Sequence, residues 1–277
     1  MNDIVSVIIP CHNEEKYLKD FLISLQNQNY DFVEIIFIND ASTDNSLQIF
    51  NDWAKNDADK IWNIKVVNLK KCEGASNAFC CGLKLVTGKY VMPVDCDDIL
   101  LPGAIYKKAK FLNENPDYAI VQNKTCRFDG KSEKIIPTFS KIKNIFETVI
   151  DTANTCLAGA YMVRTKSLFE IYKDKNIPIS DAGQNLQLTL PVINRYKLGF
   201  IEEVLLKYRI HSDSHSHEVR KVKNYIKHID NYCRLILQLL EYCVCDKDYY
   251  KQKLKQYKNN SVKKLFKQIQ EKVNVNK

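Results

Sequence analysis

Short apolar runs alternate with amphipathic stretches along the first 115 residues of the chain. Four runs have the length and apolar character of buried parallel strands, at residues 4–10, 33–38, 64–67 and 90–94. The stretches between them place apolar residues at helical spacing, at residues 14–28, 42–53 and 74–88. This alternation predicts an α/β fold with a mostly parallel, Rossmann-like sheet and helices on both faces.

The pattern is less regular in the middle and changes again near the end. Strands are predicted at residues 118–128, 158–163 and 204–208, a hairpin turn at Asp129-Gly130, and a helix at residues 183–193. Residues 141–155 show no clear period. Two long helices begin near Val219 and Tyr250, which predicts a domain at residues 1–217 and a helical appendage at residues 218–277.

Three polar segments follow predicted strands, at residues 11–14, 39–44 and 95–98. The carboxyl ends of parallel strands meet at one edge of a sheet, where such folds bind their ligands. We therefore expect these segments to form one site.

The acidic segment at residues 95–98, Asp-Cys-Asp-Asp, is the sharpest local signal. Neighbouring carboxylates repel each other unless a cation or hydrogen-bond donors compensate, and oxygen ligands suit Mg²⁺ or Mn²⁺. The pattern favours a metal-bridged diphosphate, although D-x-D spacing also occurs in capping loops. Asp44 has an equal alternative as a helix cap, and Asp40 is placed to accept hydrogen bonds from a base or ribose.

Length and composition bound the class of protein. With 277 residues, 45% of them hydrophobic, the chain suits one large domain with an appendage. No apolar run approaches the roughly 20 residues of a membrane span, and the start lacks the pattern of a secretory signal, so we expect a cytoplasmic protein. The ten cysteines form no pair of CxxC motifs, which favours buried reduced thiols over zinc.

The net charge of +8 is concentrated near the end of the chain, where residues 247–267 are rich in lysine. Such a tail could meet an anionic membrane surface, or it is a solvated helix face. No recognition module accompanies it, so we expect no nucleic-acid partner.

Three of the five histidines lie within residues 211–217, directly after Tyr208-Arg209-Ile210. Neutral imidazole is a ligand for Mn²⁺, and protonated imidazole pairs with phosphate. A polar surface loop is the alternative interpretation.

Together these segments resemble the family-2 glycosyltransferases, which have the GT-A fold. The resemblance is carried by Val5-Ser-Val-Ile-Ile-Pro-Cys-His-Asn-Glu-Glu15, Ile38-Asn-Asp-Ala-Ser-Thr-Asp-Asn-Ser46, residues 74–82, Thr87-Gly-Lys-Tyr90 and Asp95-Cys-Asp-Asp98. It covers residues 3–115 well and residues 155–217 more loosely. It divides the predicted domain into a nucleotide-sugar-binding half at residues 1–115 and an acceptor half at residues 116–217.

The resemblance implies that a sugar moves from a nucleotide diphosphate donor, with a UDP-sugar favoured, to an acceptor hydroxyl with inversion at the anomeric carbon. The implied donor contacts are Pro10, Cys11, Asn13, Glu14, Asp40, Gly74, Asn77, Asp95 and Cys96. The implied cofactor is Mn²⁺ or Mg²⁺, held by Asp95, Asp97 and His211. The implied acceptor is a saccharide or a lipid-linked saccharide of bacterial surface-polysaccharide synthesis, which the basic tail would meet at the inner face of the plasma membrane.

Two departures from the family pattern bear on catalysis. Gln184-Asn185 stands where the family usually has Glu-Asp, and an amide cannot act as a base. Asp181 is therefore the predicted base, and Asn185 is predicted to orient the acceptor. The usual Ala-Arg-Asn reads Ala78-Phe79-Cys80 here, so one donor contact is missing.

Two other functions stay open on the sequence alone. The change at residues 184–185 is also consistent with a non-catalytic nucleotide-sugar-binding module. A sugar nucleotidyltransferase would share a nucleotide–metal sheet, but the Gly-rich basic signature it normally has is missing near the N-terminus. The C-terminal helices could also join two copies of the chain into a homodimer.

Overall fold

The computed structural model describes residues 2–56, 62–152, 157–182, 184–211 and 222–275. Its strands are β1 (Val5–Cys11), β2 (Val33–Asn39), β3 (Asn63–Asn68), β4 (Tyr90–Pro93), β5 (Ile99–Leu100), β6 (Tyr118–Phe128), β7 (Glu133–Ile136), β8 (Tyr161–Arg164) and β9 (Lys197–Arg209). Its helices are α1 (Leu18–Gln26), α2 (Ser46–Asn56), α3 (Ala75–Leu83), α4 (Ala104–Glu114), α5 (Ile145–Thr152), α6 (Thr165–Ile171), α7 (Asn185–Arg195), α8 (Val222–Leu240) and α9 (Lys247–Val275).

The described strands form one sheet in the order β3-β2-β1-β4-β8-β6-β9-β5, with β7 paired to β6. The first four strands of this order are parallel, as the sequence predicts. The rest of the sheet is mixed, because β8 runs antiparallel to both β4 and β6 while β9 runs parallel to β6. The α/β class is confirmed, but the prediction of a mostly parallel sheet holds only for the N-terminal half.

Helices cover both faces of this sheet, as predicted. Alternate side chains of β1 point to opposite faces, so Val7 and Ile9 belong to a core cluster with α1 and α4. Ile8 belongs to a second cluster with α3, α6 and α7. Helix α3 lies close to the strands at Gly82, where a Cβ atom would come within 2.5 Å of Ile8 Cγ2. The strands in the first half of the chain are therefore nearly continuous apolar runs, because both faces of the sheet are buried there.

Two predictions for the middle of the chain need correction. Residues 141–155 gave no period, yet they contain α5, whose buried Val149 and Ile150 face the C-terminal helices. The strand predicted at residues 204–208 is the C-terminal part of the 13-residue β9. The N-terminal part, residues 197–203, is too polar for the sequence pattern to predict a strand there. The hairpin at Asp129-Gly130 is confirmed as the β6–β7 connection.

The long strand β9 contains a bulge against β6. Asn123 pairs with Ile201, and the next residue, Lys124, pairs with Val204. Glu202 and Glu203, and then Leu205 before the Thr125–Leu206 pair, are therefore extra residues on β9 with no Cα partners in the β6 ladder. Beyond the bulge the strand continues to Arg209 at the acidic segment.

The two C-terminal helices pack against the rest of the chain through one apolar cluster. Tyr232, Leu239 and Leu254 join buried residues of α5 and α7 in this cluster. The Tyr232 hydroxyl also donates to the carbonyl oxygen of Val149 across 2.7 Å. The boundary predicted after residue 217 lies outside the described residues. Among the described helices, none has the length and apolar character required to traverse a membrane.

Candidate active site

Three side chains of types that can bind a metal ion meet at the carboxyl edge of the sheet. One ligand atom each from Glu14, Asp97 and His211 lies within 4.8 Å of the other two. His211 Nε2 is 2.9 Å from Asp97 Oδ2, and the Tyr17 ring lies with its centroid 4.6 Å from that of His211. The ends of β1, β4 and β9 thus bring together residues that are far apart in the sequence. His215 and His217, the other histidines of the predicted cluster, lie outside the described residues.

Arg209 fixes the segment that carries His211. Its backbone N–H donates to Asp98 Oδ1 and its Nε to the carbonyl oxygen of Asp97, both across 2.9 Å. Its guanidinium lies over the rings of Tyr17 and Phe128, at 4.8 and 4.9 Å from their centroids. In the sequence, Arg209 is notable only as a neighbour of His211, because Tyr17 and Phe128, which its guanidinium contacts, are distant in the chain.

Asp98 is completely buried behind the site. Burial, reinforced by Asp97 and Asp95, raises the pKa of its carboxyl well above the usual range. Its Oδ2 has no hydrogen-bond partner within the described ranges. Asp98 therefore supports the Arg209 backbone, and its position beneath the surface keeps it from ligands.

Asp95 has a hydrogen-bond partner that the sequence did not predict. Gln184, just before α7, donates from Nε2 to Asp95 Oδ1 across 2.7 Å. Burial and the charge of Asp97 raise the pKa of Asp95 to about 7, while the Gln184 hydrogen bond opposes that rise. The cluster of ligand atoms contains Glu14 where the sequence placed Asp95. A metal contact by Asp95 stays a prediction.

The loop after β1 is tied to the loop after β2. Asn13 has a left-handed backbone, with φ of 57°, and its Oδ1 accepts from Thr43 N across 2.8 Å. Glu14 N donates to Ser46 Oγ across 2.8 Å. Asp44 accepts from Ser46 N at the start of α2, which is the capping role considered for it. Asn13 thus positions a loop, in addition to the donor contact predicted for it.

Asp40 organises the loop before α3. Its carboxylate accepts from the backbone N–H groups of Glu73 and Gly74 across 2.9 and 2.8 Å. Gly74 has φ of 90°, which side chains rarely adopt, and it precedes the first residue of α3. Asn77 donates to Glu73 Oε2 across 2.6 Å. These contacts place Gly74 beside Asp40, which is only 2% exposed, and tie Asn77 to the neighbouring Glu73.

The remaining predicted donor contacts lie deeper. Pro10 is buried within β1, and the thiols of Cys11 and Cys96 belong to the core. Their side chains therefore do not line the surface, which leaves backbone atoms for any contact with a donor. The motif alone could not show whether the side chains or the backbone atoms of these residues are available to a donor.

The predicted acceptor residues lie on the other side of the acidic segment. Asn185 Oδ1 accepts from the hydroxyl of the buried Tyr161 across 3.1 Å. Asp181 is exposed, and the preceding residue, Ser180, donates from its backbone N–H to Ser76 Oγ in α3. The loop at residues 180–182 thus lies against the helix that begins beside Asp40.

The ligand set fits a hard divalent cation. Glu14 and Asp97 offer carboxylate oxygens and His211 an imidazole nitrogen, a combination that suits Mn²⁺ and leaves positions for phosphate and water. A cavity of about 240 Å³ adjoins the cluster and is lined by Glu14, Tyr17, Asp44 and His211, among others. Among the described residues, this is where carboxylates, an imidazole and open volume coincide.

Comparison with known proteins identifies the class. The family described as Glycosyl transferase family 2 matches residues 6–177. The chain is 30% identical over 234 residues to an uncharacterized glycosyltransferase of Methanocaldococcus jannaschii, covering 80% of this chain and 76% of that protein. It is 32% identical over 117 residues to poly-beta-1,6-N-acetyl-D-glucosamine synthase of Staphylococcus epidermidis, covering 42% of this chain and 27% of that one.

Solved structures agree on the fold. TarS of S. aureus in complex with UDP-GlcNAc matches with a TM-score of 0.67 at 22% identity, covering 92% of this chain and 71% of that chain. The mannosyltransferase PcManGT from Pyrobaculum calidifontis, in complex with GDP-Man and Mn²⁺, matches with a TM-score of 0.62 at 17% identity, covering 93% and 74%. The fold is that of the GT-A glycosyltransferases. This chain belongs to glycosyl transferase family 2, as its motifs indicated, and is a glycosyltransferase.

Proposed function

We propose that this enzyme transfers a sugar from a nucleotide diphosphate donor to an acceptor hydroxyl, with inversion and with a divalent cation. The observation that carries the proposal is the Glu14–Asp97–His211 cluster at the carboxyl edge of the sheet. UDP-GlcNAc in the TarS complex and GDP-Man with Mn²⁺ in PcManGT support a nucleotide-sugar donor. A UDP-sugar is the favoured donor.

Different residues of the chain would bind the metal ion, remove the proton and orient the acceptor. Glu14, Asp97 and His211 would hold Mn²⁺ or Mg²⁺, which offsets the negative charge of the leaving diphosphate when it is bound. Asp181 would take the proton of the acceptor hydroxyl as its oxygen attacks the anomeric carbon and the bond to the diphosphate breaks. Asn185 would orient the acceptor, and the remaining catalysis would be positioning.

A ligand screen tests the proposed donor class. UDP, GDP and their sugars are added to the full chain with Mn²⁺ or Mg²⁺, and the melting temperature is measured. A ligand that binds the native state raises the melting temperature as its concentration exceeds its Kd. We expect a metal-dependent rise with one nucleotide and its sugar. No rise with any of them would overturn the proposal.

Removing a ligand side chain tests the cluster itself. Asp97→Ala should abolish transfer and the metal-dependent part of donor binding, because the cluster loses a carboxylate that faces His211 at 2.9 Å. Donor binding is measured by calorimetry with and without Mn²⁺. Asp117→Ala is the matched control, since its side chain is 76% exposed and its carboxylate pairs with the surface lysine Lys197. Unchanged transfer by Asp97→Ala would remove it from the site.

One observation favours the non-catalytic alternative. Neither amide at residues 184 and 185 can supply a base, and both are engaged within the chain, Gln184 with Asp95 and Asn185 with Tyr161. In that case the chain would bind a donor without turning it over. Donor hydrolysis or transfer above background excludes this alternative, and release of pyrophosphate from a sugar phosphate and a nucleoside triphosphate would instead indicate a nucleotidyltransferase.

The acceptor, the assembly and the cellular context are further parts of the proposal. We infer a saccharide or lipid-linked acceptor of surface-polysaccharide synthesis, supported by the match to the polysaccharide synthase. The enzyme would act on the cytoplasmic side, in peripheral contact with an anionic membrane. Residues 218–277 would form the appendage through which two copies pair, and residues 1–115 and 116–217 the donor and acceptor halves.

A further inference from the structure

A second group of metal-ligating side chains lies beside the proposed donor site. One ring nitrogen of His12, one carboxylate oxygen of Asp40 and Sγ of Cys72 lie within 4.8 Å of one another. Imidazole, carboxylate and thiolate are the ligand types that Zn²⁺ takes in proteins. The sulfur distinguishes this group from the Glu14–Asp97–His211 cluster, whose ligands suit harder cations.

The backbone around this group already holds its members. Two backbone N–H groups orient the Asp40 carboxylate, those of Glu73 and Gly74. His12 Nδ1 lies 2.6 Å from the carbonyl oxygen of Asp40. Such outer contacts are typical of metal sites, where they fix the orientation of the ligands.

The distance between Cys72 Sγ and Asp40 Oδ2 is close to that between two ligand atoms of one zinc ion. The Cys72 thiol donates to Asp40 Oδ2 across 3.3 Å. A sulfur at about 2.3 Å and an oxygen at about 2.0 Å from one tetrahedral zinc ion lie roughly 3.5 Å apart. Zinc binding would form an Sγ–Zn bond and release the thiol proton to solvent.

We propose that His12, Asp40 and Cys72 form a site for a soft divalent cation such as Zn²⁺, and that its occupancy excludes the nucleotide from Asp40. The second half rests on the proposed function, and on the predicted contact of Asp40 with the base or ribose of the donor. His12 and Cys72 are exposed, so an ion reaches the site from solvent. One thiolate and one carboxylate neutralise the ion's two charges. The sequence argued against zinc because the cysteines form no pair of CxxC motifs. The ligands of this group come instead from three separate segments that the strand order brings together.

Zinc binding by the full chain, without nucleotide, tests the first half. Zn²⁺ is titrated against a chromophoric chelator in excess Mg²⁺, which competes with zinc for the harder cluster. Cys72→Ser and His12→Gln should each weaken zinc binding by at least about 10-fold, the loss that disturbing even the outer shell of a metal site causes. Cys245→Ser, a partly exposed cysteine elsewhere, should bind like wild type. Wild-type affinity in both test variants would overturn the site.

Competition with UDP in the presence of Mg²⁺ tests the second half. Zinc should raise the apparent Kd of UDP for wild type but leave it unchanged for Cys72→Ser. If zinc and UDP bind wild type together without competing, the coupling to the donor site is overturned. If neither UDP nor GDP binds while zinc does, the proposed donor function fails and the zinc site stands, so the two failures are distinguishable.

Discussion

At the residue scale, the acidic turn after β4 gives each of its carboxylates a separate partner. Asp95 accepts from Gln184, Asp97 lies against His211, and Asp98 accepts from the Arg209 backbone. Three carboxylates so close would repel one another without compensation. The partners come from α7 and from the end of β9, so the turn is held from two sides.

Gln184 should stabilise the fold through its bond to Asp95. Gln184→Leu leaves a carboxylate oxygen without its donor, and we expect a loss of about 1–3 kcal/mol in the free energy of unfolding. Urea unfolding measures this loss. Gln48→Leu is the matched control, because Gln48 is exposed on α2. Equal stability of both variants and wild type would show that the bond contributes nothing.

Lys108 predicts a pH dependence of stability. Burial in α4 lowers the pKa of its amine from 10.5 to about 7. Between these values the unfolded chain binds a proton that the native chain lacks, so the unfolding free energy should rise with pH, by up to about 1.4 kcal/mol per unit. Urea unfolding at several pH values should show this rise in wild type and its loss in Lys108→Met, which should also be more stable at neutral pH.

Lys110→Met provides the control for that series. Lys110 lies on the same helix, with its side chain 50% exposed, so its removal should leave the slope unchanged. A slope that survives Lys108→Met would assign the pH dependence to other groups.

Some of these residues and contacts could be predicted from the sequence, and others could not. Asp97 and His211 could be predicted, because each follows a recognisable strand end or motif. The pairing of Gln184 with Asp95 could not, since it joins residues 89 positions apart. The burial of Cys11 and Cys96 also stayed hidden, because a residue's place in a motif does not say which way its side chain points.

At the scale of elements, the C-terminal helices share a core with α5 and α7. Leu239 of α8 is completely buried in that cluster. Leu239→Ala should lower the free energy of unfolding by about 2–5 kcal/mol, through lost burial and a cavity. Thermal unfolding followed by circular dichroism measures the loss, and Leu237→Ala, 40% exposed on the same helix, is the control. A separate early transition confined to the helices would contradict a shared core.

Strands were easier to predict than their directions. Apolar runs such as residues 33–38 identify buried strands because both faces are covered. The direction of β8 depends on how the chain returns from α5, which local patterns do not encode. Helix α5 escaped prediction because its eight residues are short for a periodic signal.

At the scale of the whole molecule, much of the basic charge of the tail is already paired. Lys247, Lys251, Lys253 and Lys258 form ion pairs with Glu241, Asp248, Glu147, Asp151 and Asp230. Exposed pairs of this kind contribute little stability. They nevertheless reduce the positive field that the tail presents to a membrane.

Membrane contact should therefore be weak and purely electrostatic. Liposomes containing anionic lipid should bind the protein at low salt and release it near physiological ionic strength, where charges are screened over about 8 Å. Cosedimentation measures the bound fraction, and neutral phosphatidylcholine liposomes are the control. Binding that is equal on both lipids, or absent at low salt, would contradict an electrostatic contact.

The bulge in β9 sets how far the end of this strand reaches along the sheet toward the candidate active site. Glu202, Glu203 and Leu205 add three residues to this strand that have no Cα partners in the β6 ladder. Each strand residue advances the chain by about 3.3 Å, so a ladder without them would leave His211 roughly 10 Å from its present place. The proposed role of His211 as a metal ligand tolerates far less displacement than that. The position of His211 relative to Asp97 therefore depends on three residues in the middle of β9, and an insertion or deletion at the bulge would move it.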